Sequence, residues 1–156
     1  MSEDARWLTE QESVAWVALA DLMLRLPAVL DAQLLRDSRI TLFDYLVLSN
    51  LSMHPERMSR LSDLAKITSS SLSRLSNVVK RLEQRGLLRR EPDPDNGRYT
   101  NAILTEAGWD LVVAAAPGHV HAVRKYVIDG LSDEQIEALR SVACHVNERV
   151  RESGEC

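Results

Sequence analysis

From Ser62 to Leu104 the apolar spacing changes partway along from helical to alternating, which restricts the segment to two short helices followed by a β-hairpin. Ser62 is placed to cap a short helix, Asp63 to Ile67, that buries Leu64 and Ala65. The run Thr68, Ser69, Ser70, Ser71 breaks it. A second helix begins near Leu72 and carries Leu72, Leu75, Val79 and Leu82 on one stripe, with Arg74, Asn77 and Arg81 on the opposite face and Gly86 as a left-handed terminator. Leu87 to Arg90 and Tyr99 to Leu104 then read as strands around the turn-forming cluster Pro92 to Gly97. Two helices joined by a few small polar residues match a helix-turn-helix, and the polar-tipped hairpin after it is the wing.

The flanks are helical. Thr9 and Glu12 form a capping box ahead of a helix to about Arg36, with Pro27 expected to kink it, and Thr41 caps a second helix to about His54. The chain from there to Arg60 is expected to be a loop. Thr105 caps a helix whose apolar period runs to Ile128, with a kink expected at Pro117 and Gly118. Ser132 and Gln135 box the start of a last helix with the stripe Ile136, Leu139, Val142, Ala143, Val146 and Val150. These outer helices have more apolar length than the central 50 or so residues can cover, which predicts pairing with a second copy. The fold class is mainly α with a small β-hairpin wing. It is expected as a single domain over residues 1–156, with dimerisation helices at 9–36 and 106–152 and a winged lobe at 41–104.

Net charge is −4, which by itself argues against nucleic acid, but the charge is unevenly spread. Arg57 to Arg98 holds ten Lys/Arg against five Asp/Glu, while the remainder holds nine against eighteen. The basic charge therefore sits on the helix-turn-helix and wing. No apolar run is expected to approach the roughly 20 residues that span a bilayer, and the acidic start Met-Ser-Glu-Asp lacks a secretory pattern. The expectation is a cytoplasmic chain with no membrane partner. Cys144 and Cys156 are too few for a disulfide framework or a zinc site.

The residues Ser62-Asp63-Leu64-Ala65, Ser71 to Gly86, and Leu87 to Gly108 with its Leu104-Thr105-Glu106-Ala107-Gly108 closely resemble the MarR family of bacterial regulators. The resemblance implies a homodimer with interleaved terminal helices. Each lobe would place its second short helix in a major groove and its wing in the adjoining minor groove of a pseudo-palindromic operator in double-stranded DNA. On that reading Arg74 and Asn77 suit guanine and adenine edges, and Ser70, Ser71 and Ser73 lie where a helix N-terminus favours phosphate. Lys80, Arg81 and Arg85 are left to phosphate contact or solvation. Arg98 stands at the position of the family's minor-groove arginine. Its usual acidic anchor is replaced by the neutral Asn96, and Gly97 stands where a further arginine is common.

Nothing in the sequence forms a catalytic pattern or calls for a cofactor or a metal. His119 and His121 are two apart and point away from each other on a helix, and there is no nucleophile elbow or phosphate loop. The resemblance implies a repressor relieved by a small, often aromatic effector. Trp16, Tyr45 and Trp109 either line such a site between the lobe and the outer helices or belong to the core. The alternatives are a thiol redox sensor and a winged interaction module that has lost DNA binding. Cys144, on the apolar stripe of the last helix, reads as buried and inert.

Overall fold

Hydroxyl side chains set most of the helix starts. In a computed structural model that describes residues 5–153, Thr9 Oγ1 accepts from the Glu12 N–H and the Glu12 carboxylate accepts from the Thr9 N–H, opening α1 (Glu10–Ser38). Thr41 and Asp44 close the same kind of box on α2 (Leu42–Met53), and Ser132 and Gln135 on α6 (Asp133–Glu152). Ser71 caps α4 (Leu72–Gln84), and Thr105 caps α5 (Glu106–Val123). Each such cap satisfies backbone donors that the first turn leaves free, worth about 1 kcal/mol.

The expected loop before Arg60 contains a strand, β1 (Met58–Arg60). It leads directly into α3 (Leu61–Ile67), so the helix starts at Leu61 with Arg60 as an N-cap that makes no side-chain bond, and Ser62 is not the cap. Strands β2 (Leu88–Pro92) and β3 (Thr100–Leu104) form the hairpin, and β1 joins the outer edge of β3 to give the order β1-β3-β2. All pairs are antiparallel, with Met58 opposite Ile103 and Leu88 opposite Leu104.

Pro27 and Pro117 both lie inside continuous helices. The last turn before Asp129 is wider than the rest. Arg124–Ile128 is π-helical, and the Asp129 N–H donates to the Arg124 carbonyl five residues back at 2.9 Å.

The core gathers Leu34 and Ile40, Leu48 and Leu51 of α2, Leu64 of α3, Leu75, Val79 and Leu82 of α4, and Leu88 of β2. Helices α1, α2 and α5 pack on one another above it. In contrast, α6 has no buried residue, and its stripe of Leu139, Val142, Val146 and Val150 is open, as is Cys144. The burial expected for Cys144 is not supplied by the chain itself, since among the described residues none of α6 beyond the half-buried Ile136 is covered on its apolar stripe. Cys156 lies outside the described residues.

A second correction concerns α1. An 18-residue stretch of it has a mean hydropathy of 1.6 and is long and apolar enough to cross a bilayer by length and composition. The two charges within that part of the helix satisfy each other, Arg25 Nε donating to Asp21 Oδ1 at 2.8 Å. The sequence reading missed this run because it counted unbroken apolar residues.

Gly108, in the first turn of α5, lies against the start of β2. A Cβ there would stand 2.0 Å from the Leu87 carbonyl oxygen and 2.6 Å from Leu104 Cδ1. Gly108→Ala is therefore expected to lower stability by about 1–3 kcal/mol or more, as overpacking against backbone does. A thermal melt identical to that of the parent would refute this account of the packing.

Candidate nucleic-acid interface

The turn between α3 and α4 closes without glycine. Ser69 adopts φ 48°, its N–H donates to the Lys66 carbonyl, and the Ser70 N–H reaches back to the Ala65 carbonyl at 2.9 Å. This double closure is the Schellman arrangement that usually takes glycine at the left-handed position. It reverses the chain so that Ser71 Oγ accepts from the Arg74 N–H at 3.2 Å and starts α4. Ser70, Ser71 and Lys66 border an open groove of about 820 Å³ at this helix start, which Arg151 near the end of α6 also lines. Ser73, Arg74, Asn77 and Lys80 are exposed along α4, whose other face buries Leu75, Val78, Val79 and Leu82.

Ion pairs divide the basic residues of this lobe into two sets. Arg57 pairs with Glu106 and Arg60 with Asp93, Arg81 pairs with Asp44, and Arg89 with Glu91 and Arg90 with Glu83. Among the described residues no ion pair involves Lys66, Arg74, Lys80, Arg85 or Arg98. The unpaired cations lie on the helix-turn-helix and at the wing tip, where counter-anions other than the protein's own carboxylates can approach. Arg81 was left by the sequence to phosphate or solvent, and the structure gives its guanidinium a third partner in Asp44.

The wing is held from its base. Asp93 is buried, and its carboxylate accepts from Arg60 Nε at 2.7 Å and from the Asp95 and Asn96 N–H groups at 2.9 and 3.3 Å. Arg60 also lies over the Tyr99 ring at 4.8 Å. The Arg60 guanidinium, with those two backbone donors, keeps the Asp93 carboxyl below the usual carboxylate range. Asn96 contributes differently from the expected contact with the Arg98 guanidinium: its Oδ1 accepts from the Arg98 backbone N–H at 3.1 Å. It shapes the turn and leaves the Arg98 side chain exposed. Sequence reasoning missed Arg60 and Asp93, since β1 was not visible as a strand and the two residues are far apart in the chain.

The three aromatic residues do not share one surroundings. Tyr45 is buried with its ring 4.6 Å from that of His119, and Trp109 packs against the same core beneath the Arg57 guanidinium at 4.0 Å. Trp16 instead lines an open groove of about 690 Å³ on the outer face of α1, with Val14, Val17 and Leu24. Burial pushes the His119 imidazole below its ordinary pKa, and among the described residues neither its Nδ1 nor Gln33 Oε1 from α1 has a hydrogen-bond partner. His121 is exposed.

A helix-turn-helix with an exposed second helix, unpaired cations beside it and a braced hairpin defines a winged helix-turn-helix DNA-binding regulator of transcription. The sequence model of the MarR family matches residues 40–98. A MarR family transcriptional regulator from Streptomyces coelicolor, solved in complex with DNA, superposes with a TM-score of 0.90 at 39% identity, over 94% of this chain and 92% of that one. AbsC, another MarR family regulator of that organism, gives 0.90 at 36% identity over 95% and 99%. CouR of Rhodococcus jostii, bound to p-coumaroyl-CoA, shares the fold at 0.76 and 20% identity over 90% and 95%. No curated protein matches the chain. The chain belongs to the MarR family.

Removing the Asp93 carboxylate should free the wing without disturbing the core. Asp93→Asn is expected to speed amide exchange at Asp95 and Asn96 and to weaken DNA binding severalfold, with little change in the main melting transition. Because the folded carboxyl titrates below its unfolded value of about 3.9, its contribution is fully present above that pH and is lost as pH falls through the lowered value. Wing amides that exchange at the parent rate in the variant would show that Asp93 does not brace the hairpin.

Proposed function

We propose that the protein is a homodimeric repressor that reads a pseudo-palindromic operator and releases it on binding a small effector. The observation that carries the DNA reading is the exposed N-terminal half of α4, where Arg74 and Asn77 stand free of carboxylate partners on a helix whose opposite face is locked into the core. Arginine pairs bidentately with guanine and asparagine with adenine in the major groove. Ser70, Ser71 and Ser73 at the helix start and Lys80 about two turns further on are assigned to phosphates, and Arg98 at the wing to a minor groove. Asn96 serves this last contact through the turn backbone.

Residues 41–104 form the DNA lobe on this reading, and residues 9–36 and 106–152 the dimerisation helices. The support for pairing is apolar surface. Trp16, Val17 and Leu24 on α1 and Leu139, Val142, Val146 and Val150 on α6 are open in the single chain, and a second copy would cover both stretches.

The effector part of the proposal centres on the junction of α1, α2 and α5. There Tyr45 and His119 offer aromatic faces, and the buried Gln33 Oε1 and His119 Nδ1 are two polar atoms without partners. Trp109 packs against the same core, and Trp16 enters the site only if dimerisation brings it there. CouR binds p-coumaroyl-CoA, which makes an aromatic acyl compound a reasonable first probe.

Operator selection followed by sedimentation tests the proposal. The protein should sediment as a dimer at micromolar concentration and select two half-sites separated by about 10 base pairs or a multiple. A folded monomer would overturn the dimeric reading. Arg74→Ala should cost about 1–3 kcal/mol at one base pair per half-site and relax preference there, as loss of a bidentate contact does. Arg98→Ala should lose affinity chiefly on A·T-flanked operators, whose narrow minor groove has the stronger negative potential. Equal losses on A·T and G·C flanks would remove groove shape from the account.

A further inference from the structure

The two arginines on the exposed face of α4 are each held by the start of α2. The Arg74 guanidinium lies over the Phe43 ring at 4.4 Å, and the Arg81 guanidinium bonds to Asp44 Oδ1. Phe43 and Asp44 are adjacent, while Arg74 and Arg81 are seven residues apart, so one end of α2 reaches two positions about two helical turns apart along α4. Asp44 is almost wholly buried, with a side-chain exposure of 3%, and its other oxygen accepts from the Thr41 N–H at 3.0 Å. A buried carboxylate needs both partners, since an unpaired buried charge is strongly unfavourable. Asp44 is therefore fixed by the cap on one side and presents a fixed acceptor to Arg81 on the other.

The tip of α2 is itself anchored from outside the lobe. Asp31 of α1 accepts from the Leu42 N–H at 2.7 Å, eleven residues along the chain. Leu42 and Phe43 are partly buried against the core. A continuous run of contacts thus leads from α1 through the first turn of α2 to both guanidinium groups on α4.

We propose that the N-terminal tip of α2 is a positioning element for DNA reading, in which Phe43 orients the Arg74 guanidinium, Asp44 fixes Arg81, and Asp31 sets the tip relative to α1. A guanidinium stacked on a ring keeps its plane and its edge N–H groups available, and bidentate recognition of a base edge depends on that plane. Arg81 remains half exposed, with a side-chain exposure of 52%, so its free N–H groups can still meet a phosphate while its direction is set from behind. The inference rests on the assignment of α4 as the DNA-reading helix.

The test compares binding of the full-length protein to its selected operator and to operators changed at single base pairs, at fixed salt, with melting temperature measured alongside. Phe43→Leu keeps an apolar side chain and removes the ring. It should reduce discrimination at the base pair sensitive to Arg74→Ala by about two- to fivefold, the size of an exposed cation–π contact. Asp31→Ala, which touches neither arginine, should reduce discrimination at the same base pair, and Asp31→Asn should restore it because an amide oxygen can still accept from Leu42. In an Asp44→Asn background, Arg81→Gln should have a smaller effect than it has alone.

If Arg74→Ala itself leaves discrimination unchanged, the DNA-reading assignment fails and takes the inference with it. If Arg74→Ala abolishes discrimination while Phe43→Leu and Asp31→Ala do not alter it, the positioning role alone is overturned. A gain in operator affinity on Phe43→Leu would also overturn it, by showing that the ring withholds Arg74 from DNA. Should Phe43→Leu fail to fold, the contrast between Asp31→Ala and Asp31→Asn decides the matter.

Discussion

The structure depends on a small knot of backbone and hydroxyl contacts around Gly86, Leu87 and Thr105. Gly86 takes the left-handed conformation that ends α4, and the Thr105 hydroxyl donates to its carbonyl at 2.6 Å. The Thr105 N–H donates to the Leu87 carbonyl, while the same hydroxyl oxygen accepts from the Gly108 N–H to cap α5. One threonine thus joins the end of the exposed helix, the first residue before the wing and the start of the longest route away from the lobe. The start of α5 is thereby bonded both to the residue that ends α4 and to the one that leads into β2.

The electrostatics follow a similar economy. The protein uses several of the lobe's cations to fasten itself. Arg57 clips the start of α5, Arg60 braces the wing, and Arg90 ties β2 to Glu83 of α4, holding that carboxyl below its ordinary range. What is left unpaired is concentrated at the turn, along α4 and at the wing tip. A net acidic chain can therefore present a basic surface, because its surplus carboxylates lie mainly outside residues 57–98.

Much of this was legible from local signals. Thr9, Thr41, Thr105 and Ser132 each stand before an apolar period and cap helices as their chemistry dictates, whereas Ser62, read by the same signal, does not. Features set by distant partners were not. β1 is three residues long and shows no period, being a strand through its pairing with β3 more than forty residues later. The same holds for Asp44, which reads locally as a helix-cap acid and acquires its second role from Arg81 thirty-seven residues on. For the interface, the sequence supplied the candidate cations but not their division into paired and unpaired, which depends on the tertiary fold. Exposure of Cys144 and of the α6 stripe was hidden for a further reason: an apolar period shows that a face is to be covered, without showing that its own chain does the covering.

The π-helical turn at Arg124–Ile128 gives the chain length a meaning that its composition does not carry. A π turn accommodates one more residue than an α turn, and each residue advances a helix by about 100°. The extra residue therefore governs the azimuth at which the backbone leaves α5 toward Ser132. Deleting a single residue from Arg124–Ile128 would turn that exit by about 100° and change the direction in which the chain sets out toward Ser132. In this segment the number of residues, as well as their identity, sets the path of the chain.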